Sequence, residues 1–191
     1  TTAQYLAHIA GRVFDQTGLL PHINAGILEA DEMVALREVS ASQGIMLESA
    51  AHRLSERGGP HYGSPDKQPK VRLANIELAG RLKIPFTTGI LIGIGENRAE
   101  RIDSLLKIRA LHDRYGHIQE LIIQPFRAKP DTLMATFPEP DTPDLLWTIA
   151  VARILFGPDM NLQAPPNLSP GVEEKLIQAG INDWGGVSPV T

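Results

Sequence analysis

The sequence of 191 residues contains no cysteine. Disulfides, thiolate-ligated metals and nucleophilic cysteines are therefore excluded within these residues. A basic excess is also missing, because 18 lysines and arginines stand against 22 aspartates and glutamates, a formal net charge of −4. Such a chain has no surplus of cations to neutralise a phosphate backbone, so we expect no nucleic-acid partner.

Long apolar runs are absent too. The richest stretch, 85–94, is interrupted by threonine and glycine and falls short of the roughly 20 residues that span a bilayer. The N-terminus begins at Thr1 and has no charged segment followed by an apolar one, so no signal peptide is predicted and the start is interpreted as a cut end. We expect a cytoplasmic protein with no membrane partner.

Helical and strand-like segments alternate along the chain. Helices are predicted at 3–15, 32–42, from 64, from 97, from 142 and from 169 to 180. Strands are predicted at 19–24, 44–47, 86–92, 118–123, 161–164 and 182–187. The segment 86–92 is apolar on both faces, which is typical of a parallel sheet covered on both sides. Regular alternation with short connections predicts an α/β fold.

The number of strand–helix steps favours one kind of α/β fold. A complete eight-fold barrel takes about 250 residues, and about six steps are present here. We therefore predict a single domain, 1–191, that forms a partial (β/α)8 barrel of roughly units 3 to 8. A doubly wound open sheet is the structural alternative. The helix starting near Ser64 is expected to bury Val71, Ala74, Leu78 and Leu82.

Polar residues follow the predicted strands, at the ends where α/β proteins bind ligands. They form a candidate ring of donors and acceptors: Asn24, Glu48, Glu96, Gln124, Gln163, Asn167 and Asp183. For any single residue in this set, an ordinary polar strand end is the alternative interpretation.

The first motif in this ring pairs a carboxylate with a guanidinium five residues later. Glu48 could accept hydrogen bonds from sugar hydroxyls, and the fork of Arg53 could clamp a ligand carboxylate. A salt bridge between Glu48 and Arg53 agrees equally well with the spacing.

The second motif is the glycine-rich run 89–96, where Gly93 and Gly95 would let the backbone approach a flat ligand. It is not a dinucleotide fingerprint, because Arg98 stands where the third glycine is required. A tight turn before a capped helix is the alternative. The loop 58–67 carries His61, Tyr62 and Lys67 and could orient a substrate or serve only as a connection. No zinc-type histidine pair and no G-x-S-x-G elbow is present.

Six runs of the sequence carry a family resemblance: MLES with Arg53, GGPHYGSPDK, TTGILIGIGEN, QPFRAKP, PNLSPG and GINDWGGVSPVT. They resemble the 7,8-didemethyl-8-hydroxy-5-deazariboflavin synthases, the radical S-adenosylmethionine (SAM) subunits of FO synthase. The resemblance covers nearly the whole chain, and the run 183–189 is specific to that subunit. It implies a radical SAM barrel in which a 4Fe-4S cluster cleaves SAM to a radical that abstracts hydrogen from the substrate.

The resemblance also implies a substrate, a partner and site residues. The substrate would be 5-amino-5-(4-hydroxybenzyl)-6-(D-ribitylimino)-5,6-dihydrouracil, which a carbon–nitrogen lyase would cyclise with loss of ammonium. A companion tyrosine-transferring subunit would be the partner. By the same resemblance, SAM would be bound by Glu48, Arg53, Gly93, Gly95 and Glu96. Substrate would contact Asn24, His61, Tyr62, Gln124 and Asp183, and the catalytic residues stay unassigned.

One departure from the family is that the cluster-binding loop C-x-x-x-C-x-x-C has no counterpart, so this chain holds no metal ligands. The resemblance then implies a fragment of a parent enzyme, in which the cluster would be held upstream of Thr1, and an isolated chain that does not cleave SAM. Two other functions stay open. One is a metal-independent α/β-barrel lyase or aldolase that uses strand-end carboxylates and His61, and the other is a non-catalytic binding module with a SAM pocket.

Overall fold

The computed structural model describes residues 1–185. The helices are α1 Thr2–Thr17, α2 Ala30–Arg37, α3 Pro69–Arg81, α4 Arg98–Tyr115, α5 Thr142–Phe156 and α6 Glu173–Ala179. The strands are β1 His22–Ile23, β2 Ser42–Gly44, β3 Phe86–Ile92, β4 Ile118–Pro125 and β5 Asn161–Gln163. Short 3-10 turns occupy His52–Ser55, Pro65–Lys67 and Pro166–Leu168.

The strands form one parallel sheet whose order in space is the order in sequence, β1-β2-β3-β4-β5. A doubly wound sheet reverses its strand order at a switch point. No such reversal occurs among the described strands, and a helix follows each strand, as in a (β/α) barrel. The α/β prediction is confirmed, and the order of the strands favours the barrel over the open sheet.

The two faces of the sheet have different surroundings. In β4, Leu121 and Ile123 are fully buried in a core cluster that includes Leu105 of α4 and Ile149 of α5. Their neighbours on the other face of β4 are only half-buried. We call this second face the open face, and in β4 it consists of Glu120, Ile122 and Gln124.

The capping residues at several helix ends agree with those predicted from the sequence. Asn97 caps α4, and Glu100 returns the bond to the backbone N–H of Asn97, which completes the expected capping box. Gly180 ends α6 with φ 121°. At α5 the cap is Asp141, one residue before the predicted start at Thr142, and its side chain accepts from the N–H of Asp144 at 2.8 Å.

The predicted buried face of α3 is only partly correct. Leu78 and Leu82 are half-buried and pack against the core, but Val71 and Ala74 are exposed. The fully buried positions include Arg72, Ile76 and Ala79 instead. In α4, likewise, Arg101 is buried. The physical reason is that Arg72 and Arg101 point inward to carboxylates at the strand ends, so polar side chains occupy positions that a hydrophobicity pattern assigns to the surface.

Several predicted boundaries also shift. The strands predicted at 19–24 and 44–47 shrink or move to His22–Ile23 and Ser42–Gly44, because strand length depends on pairing with neighbours that the local sequence does not reveal. The helices predicted from 64 and from 169 begin at Pro69 and Glu173, after 3-10 turns. In the strand predicted at 182–187, Asp183 forms only an isolated bridge with Gln163, and the residues from 186 onward lie outside the described residues. None of the described helices is both long and apolar enough to cross a bilayer.

Candidate functional site

Glu48 lies four residues beyond β2, against the strand that carries the glycine motif. Its N–H donates to the carbonyl of Gly89 at 3.1 Å, and its own carbonyl accepts from the N–H of Leu91 at 2.9 Å. Its φ of 63° is in the left-handed region, which is strained for a residue with a side chain. Such strain typically costs about 1–3 kcal/mol and clusters at functional sites.

Three side chains with nitrogen donors, His61, Lys67 and Arg72, surround the Glu48 carboxylate. Oε2 lies 2.7 Å from Nε2 of His61, and Oε1 lies 2.9 Å from Nη1 of Arg72 and 3.2 Å from Nζ of Lys67. Burial alone would raise the pKa of Glu48, but the His61 hydrogen bond and the charges of Arg72 and Lys67 outweigh it and lower the pKa to about 2. Glu48 is therefore a carboxylate at any ordinary pH, and it accepts hydrogen bonds rather than supplying protons.

Arg53 does not pair with Glu48, so the alternative interpretation of the motif, a salt bridge between the two, is wrong. Its Nε and Nη2 donate to the two oxygens of Glu100 at 2.7 and 2.6 Å, and Nη2 also donates to the carbonyl of Gly95 at 2.7 Å. The guanidinium fork is thus occupied by α4 and by the glycine turn. Arg53 remains half exposed at the surface.

Glu96 holds the glycine turn from beneath. Its Oε1 accepts from the N–H of Gly93 at 2.7 Å and from Nε of Arg101 at 2.7 Å, and its Oε2 accepts from the N–H of Ile94 at 2.9 Å. The side chain is 1% exposed. Both oxygens are engaged, so Glu96 shapes the turn in which Gly93 and Gly95 take φ values of 89° and 107°.

A groove of about 760 Å³ opens beside this turn. Its lining includes Arg53, Leu54, Tyr62, Gly95, Met134 and Phe137. A Cβ added to Gly95 would lie 3.8 Å from Leu54 and 4.0 Å from Phe137, so the missing side chain leaves a slot between apolar walls. The volume is within the range of small-molecule sites, about 300–1,000 Å³.

A second cavity of about 750 Å³ lies at the carboxyl ends of β4 and β5. Gln124 faces it opposite Leu91, its partner in the β3–β4 register. The cavity wall is braced by Arg127, which donates to the carbonyl of Leu168 and to Glu139, the latter at 2.9 Å. Gln124 is thus placed where a polar ligand at the strand ends would meet it.

The remaining predicted residues divide into two groups. His61 and Tyr62 are adjacent to the first motif, since His61 contacts Glu48 and Tyr62 lines the groove. Asn24 and Asp183 lie at opposite ends of the five-stranded sheet. Asp183 closes its own turn, because its Oδ1 accepts from the N–H of Trp184 at 2.7 Å.

Sequence reasoning missed Arg72, which completes the Glu48 cluster, and Glu120, which lies on the open face of β4. Arg72 gave no local signal, since an arginine on a helix is usually solvated. Glu120 did give one, because it is the only charged residue in the strand prediction 118–123.

The chain does not fit an iron–sulfur cluster. It has no cysteine, and residues 1–185 contain no group of three histidine, aspartate or glutamate side chains able to hold a metal ion. Groups of the kind that SAM requires are present: an ionised acceptor in Glu48, whose oxygens also accept from His61, Lys67 and Arg72, and a glycine turn beside a groove with apolar walls.

Comparison with known proteins gives relatives but no family model, since none matches the chain. Over its whole length, the chain is 54% identical to a protein named FO synthase from Mycobacterium tuberculosis and spans 22% of it. It is 49% identical to the 7,8-didemethyl-8-hydroxy-5-deazariboflavin synthase of Methanopyrus kandleri and spans 57% of it. The solved structure of methylornithine synthase aligns with a TM-score of 0.80 at 19% identity, covering 98% of this chain and 53% of that one. The fold is therefore that of a partial α/β barrel, as predicted, and the aligned structure shares it.

Proposed function

We propose a function from one premise, that this chain is homologous over its whole length to a segment of the FO synthases. The chain forms part of the radical SAM barrel that makes the 7,8-didemethyl-8-hydroxy-5-deazariboflavin chromophore. Its substrate is 5-amino-5-(4-hydroxybenzyl)-6-(D-ribitylimino)-5,6-dihydrouracil, and a carbon–nitrogen bond is broken with loss of ammonium. The observation that carries the proposal is that the whole chain aligns with these synthases at 49–54% sequence identity.

In this proposal Glu48 and the glycine turn hold SAM. When bound, SAM supplies the radical that abstracts hydrogen from the substrate. Glu48 accepts hydrogen bonds from ribose hydroxyls, and its low pKa keeps it in the accepting form. Gly93 and Gly95 let the backbone approach the adenosine, while Glu96 keeps the turn in shape from below.

His61, Lys67 and Arg72 act on this site through Glu48. They fix the orientation of its carboxylate, and His61 also ties the loop 58–67 to the end of β2. The Arg53 guanidinium can contact the methionyl part of SAM only after its hydrogen bonds to Glu100 break. Without SAM, its role is to hold the carbonyl of Gly95 in place. Gln124 and Tyr62 are the substrate contacts that open onto cavities.

The isolated chain is proposed to be inactive, because the cluster that starts the reaction does not fit its residues. Its working context is the longer protein, in the cytoplasm, with a companion tyrosine-transferring subunit that supplies the substrate.

A segment exchange tests the proposal. This chain replaces the matching segment of the M. tuberculosis FO synthase, and the chromophore and released ammonium are measured after cluster reconstitution. We expect the exchanged enzyme to form both products, and the isolated chain to form neither and to release no 5′-deoxyadenosine. A folded, cluster-loaded exchange protein without product, beside an active unexchanged enzyme, contradicts the proposal.

A further inference from the structure

A carboxylate on the open face of the sheet has no counter-charge among residues 1–185. Glu120 lies in β4 between Thr87 of β3, its register partner, and Gln163 of β5. Its Oε2 accepts from Oγ1 of Thr87 at 3.1 Å and from Nε2 of Gln163 at 2.9 Å. Both donors are neutral. None of the described residues donates a hydrogen bond to Oε1, so half of the carboxylate is available.

Two other carboxylates, which follow the carboxyl ends of strands, differ from Glu120 in having cationic partners. Glu48 is paired with Arg72, and Glu96 with Arg101. Within residues 1–185, no ion pair includes Glu120. A half-buried carboxylate without a cation is costly, and proteins usually supply a partner for one. A positively charged ligand would therefore supply the counter-charge that the described residues do not.

Glu120 belongs to a row of polar side chains drawn from all five strands. We call it the polar row, and it consists of His22, Ser42, Thr87, Glu120 and Gln163. Nδ1 of His22 lies 2.7 Å from Oγ of Ser42. Barrel interiors are normally filled with branched apolar residues, so a row of polar side chains on this face points to a role other than core packing.

Two glycines make room for the polar row. A Cβ added to Gly44 would come within 3.1 Å of the His22 ring and 2.8 Å of the Thr87 carbonyl, so only glycine lets the imidazole lie over β2. A Cβ added to Gly185 would collide with Oε1 of Gln163. The turn after β5 thus presses on the amide oxygen of Gln163 and leaves its Nε2 directed at Glu120.

His22 is the only other titratable residue in the polar row, and its side chain does not supply the missing positive charge. Burial lowers the pKa of His22 below its ordinary value, although the negative charge of Glu120 acts in the opposite direction. At neutral pH the imidazole is therefore mostly uncharged, and it does not neutralise Glu120.

We propose that Glu120 binds the 5-amino group of the substrate in its ammonium form, the group that is lost in the reaction. This inference rests on the proposed function and assigns one residue to one group of that substrate. An ammonium N–H donating to Oε1 forms a charge-assisted hydrogen bond and supplies the missing counter-charge. Thr87 and Gln163 act as positioning residues that hold Oε2 and aim Oε1 at the ligand.

Binding measurements on the exchanged synthase described above test this assignment. Affinities for the substrate and for its analogue without the 5-amino group are measured by calorimetry, with no turnover required. We expect the unmodified protein to prefer the amine. Glu120→Gln keeps the size and hydrogen-bonding capacity of the side chain, and should weaken substrate binding roughly 10- to 100-fold while leaving analogue binding unchanged. Glu174→Gln on exposed α6 makes the same charge change and should alter neither affinity.

Each outcome decides between the two proposals. If the unmodified protein prefers the amine and Glu120→Gln keeps that preference, Glu120 is not the ammonium contact, while the proposed function stands. If the unmodified protein binds neither ligand, the proposed function fails and the assignment of Glu120 falls with it. Glu120→Asp retains the charge and should retain part of the preference. Equal loss in both variants would mean that side-chain shape, not charge, selects the amine, and would overturn the assignment.

Discussion

Nε2 of His61 lies 2.7 Å from Oε2 of Glu48, and both side chains are almost excluded from solvent. This contact joins a glycine-rich loop to the end of β2, so the loop and the strand end behave as one unit. Arg72 approaches the other oxygen of the same carboxylate from α3. Three separate elements therefore depend on one carboxylate.

Removing the charge of Glu48 should destabilise the chain. Glu48→Gln leaves the buried Arg72 guanidinium without its anion, and losing one partner of such a pair costs about 3–5 kcal/mol. Asp66→Asn removes the other anion near Arg72, which lies 3.7 Å away and is 60% exposed, and should cost less than about 1 kcal/mol. Urea unfolding of the two variants measures the difference, and equal losses would contradict a dominant role for Glu48.

Acid should weaken the fold through the same residue. Since the pKa of Glu48 falls from 4.5 to about 2 on folding, its contribution is complete above about pH 4.5 and is lost as the pH drops towards 2. That shift corresponds to roughly 3 kcal/mol. Glu100 and Asp144 also have lowered pKa values and add to the same trend. Unfolding free energies at pH 7 and pH 3 should differ less in Glu48→Gln than in the unmodified chain, and an identical difference in both would contradict this account.

Two arginines on α4 share Asp144 but differ in burial, and they make a matched pair. Arg101 is 6% exposed and also holds Glu96, whereas Arg98 is 54% exposed and stacks over Trp147 at 4.4 Å. Arg101→Met should cost about 3–5 kcal/mol, because it leaves Glu96 buried and unpaired. Arg98→Met should cost about 1 kcal/mol. Thermal unfolding measures both losses. A larger loss of stability in Arg98→Met than in Arg101→Met would contradict the role of Arg101 in holding Glu96 under the glycine turn.

The glycine turn should not tolerate a side chain at Gly93. Its φ is 89°, and an added Cβ would lie 2.5 Å from Cδ of Pro140. Gly18 also has a positive φ, 71°, but faces open space. Gly18→Ala should therefore cost about 1 kcal/mol of backbone strain, and Gly93→Ala roughly 1–3 kcal/mol more because of the clash. Denaturant midpoints of both variants test the difference, and equal midpoints would show that Pro140 moves away freely.

The free edge of β1 should promote self-association. β1 pairs only with β2 in the described sheet, and nearby apolar side chains, including Phe14, Leu19 and Leu20, are exposed. Unpaired strand edges and exposed apolar patches favour association. Light scattering coupled to size exclusion should detect species larger than the monomer, and Leu20→Lys should reduce them. A monodisperse monomer would contradict this prediction.

The parts of the fold that follow from local chemistry were predictable. β3 and β4 are recognisable as apolar runs, and α4 begins at the predicted capping box of Asn97 and Glu100. The bounds of β1 and β2 were not predictable, because strands of two and three residues are delimited by pairing with their neighbours. The inward positions of Arg72 on α3 and Arg101 on α4 were also not predictable. Both side chains are buried only because they pair with carboxylates from distant parts of the chain.

For the site, the residue pattern was enough to predict that Glu48 and the glycine run meet at the strand ends, because parallel strands bring their carboxyl ends to one edge. It also determined that no cysteine-held cluster can form on these residues. Three features become visible only in the folded chain. Arg53 pairs with Glu100, Glu48 is held by His61, Lys67 and Arg72, and Glu120 lies among neutral donors. Those partners are up to 47 positions apart in the chain, and ionic contacts over such separations depend on how helices pack against the sheet, which no local pattern encodes.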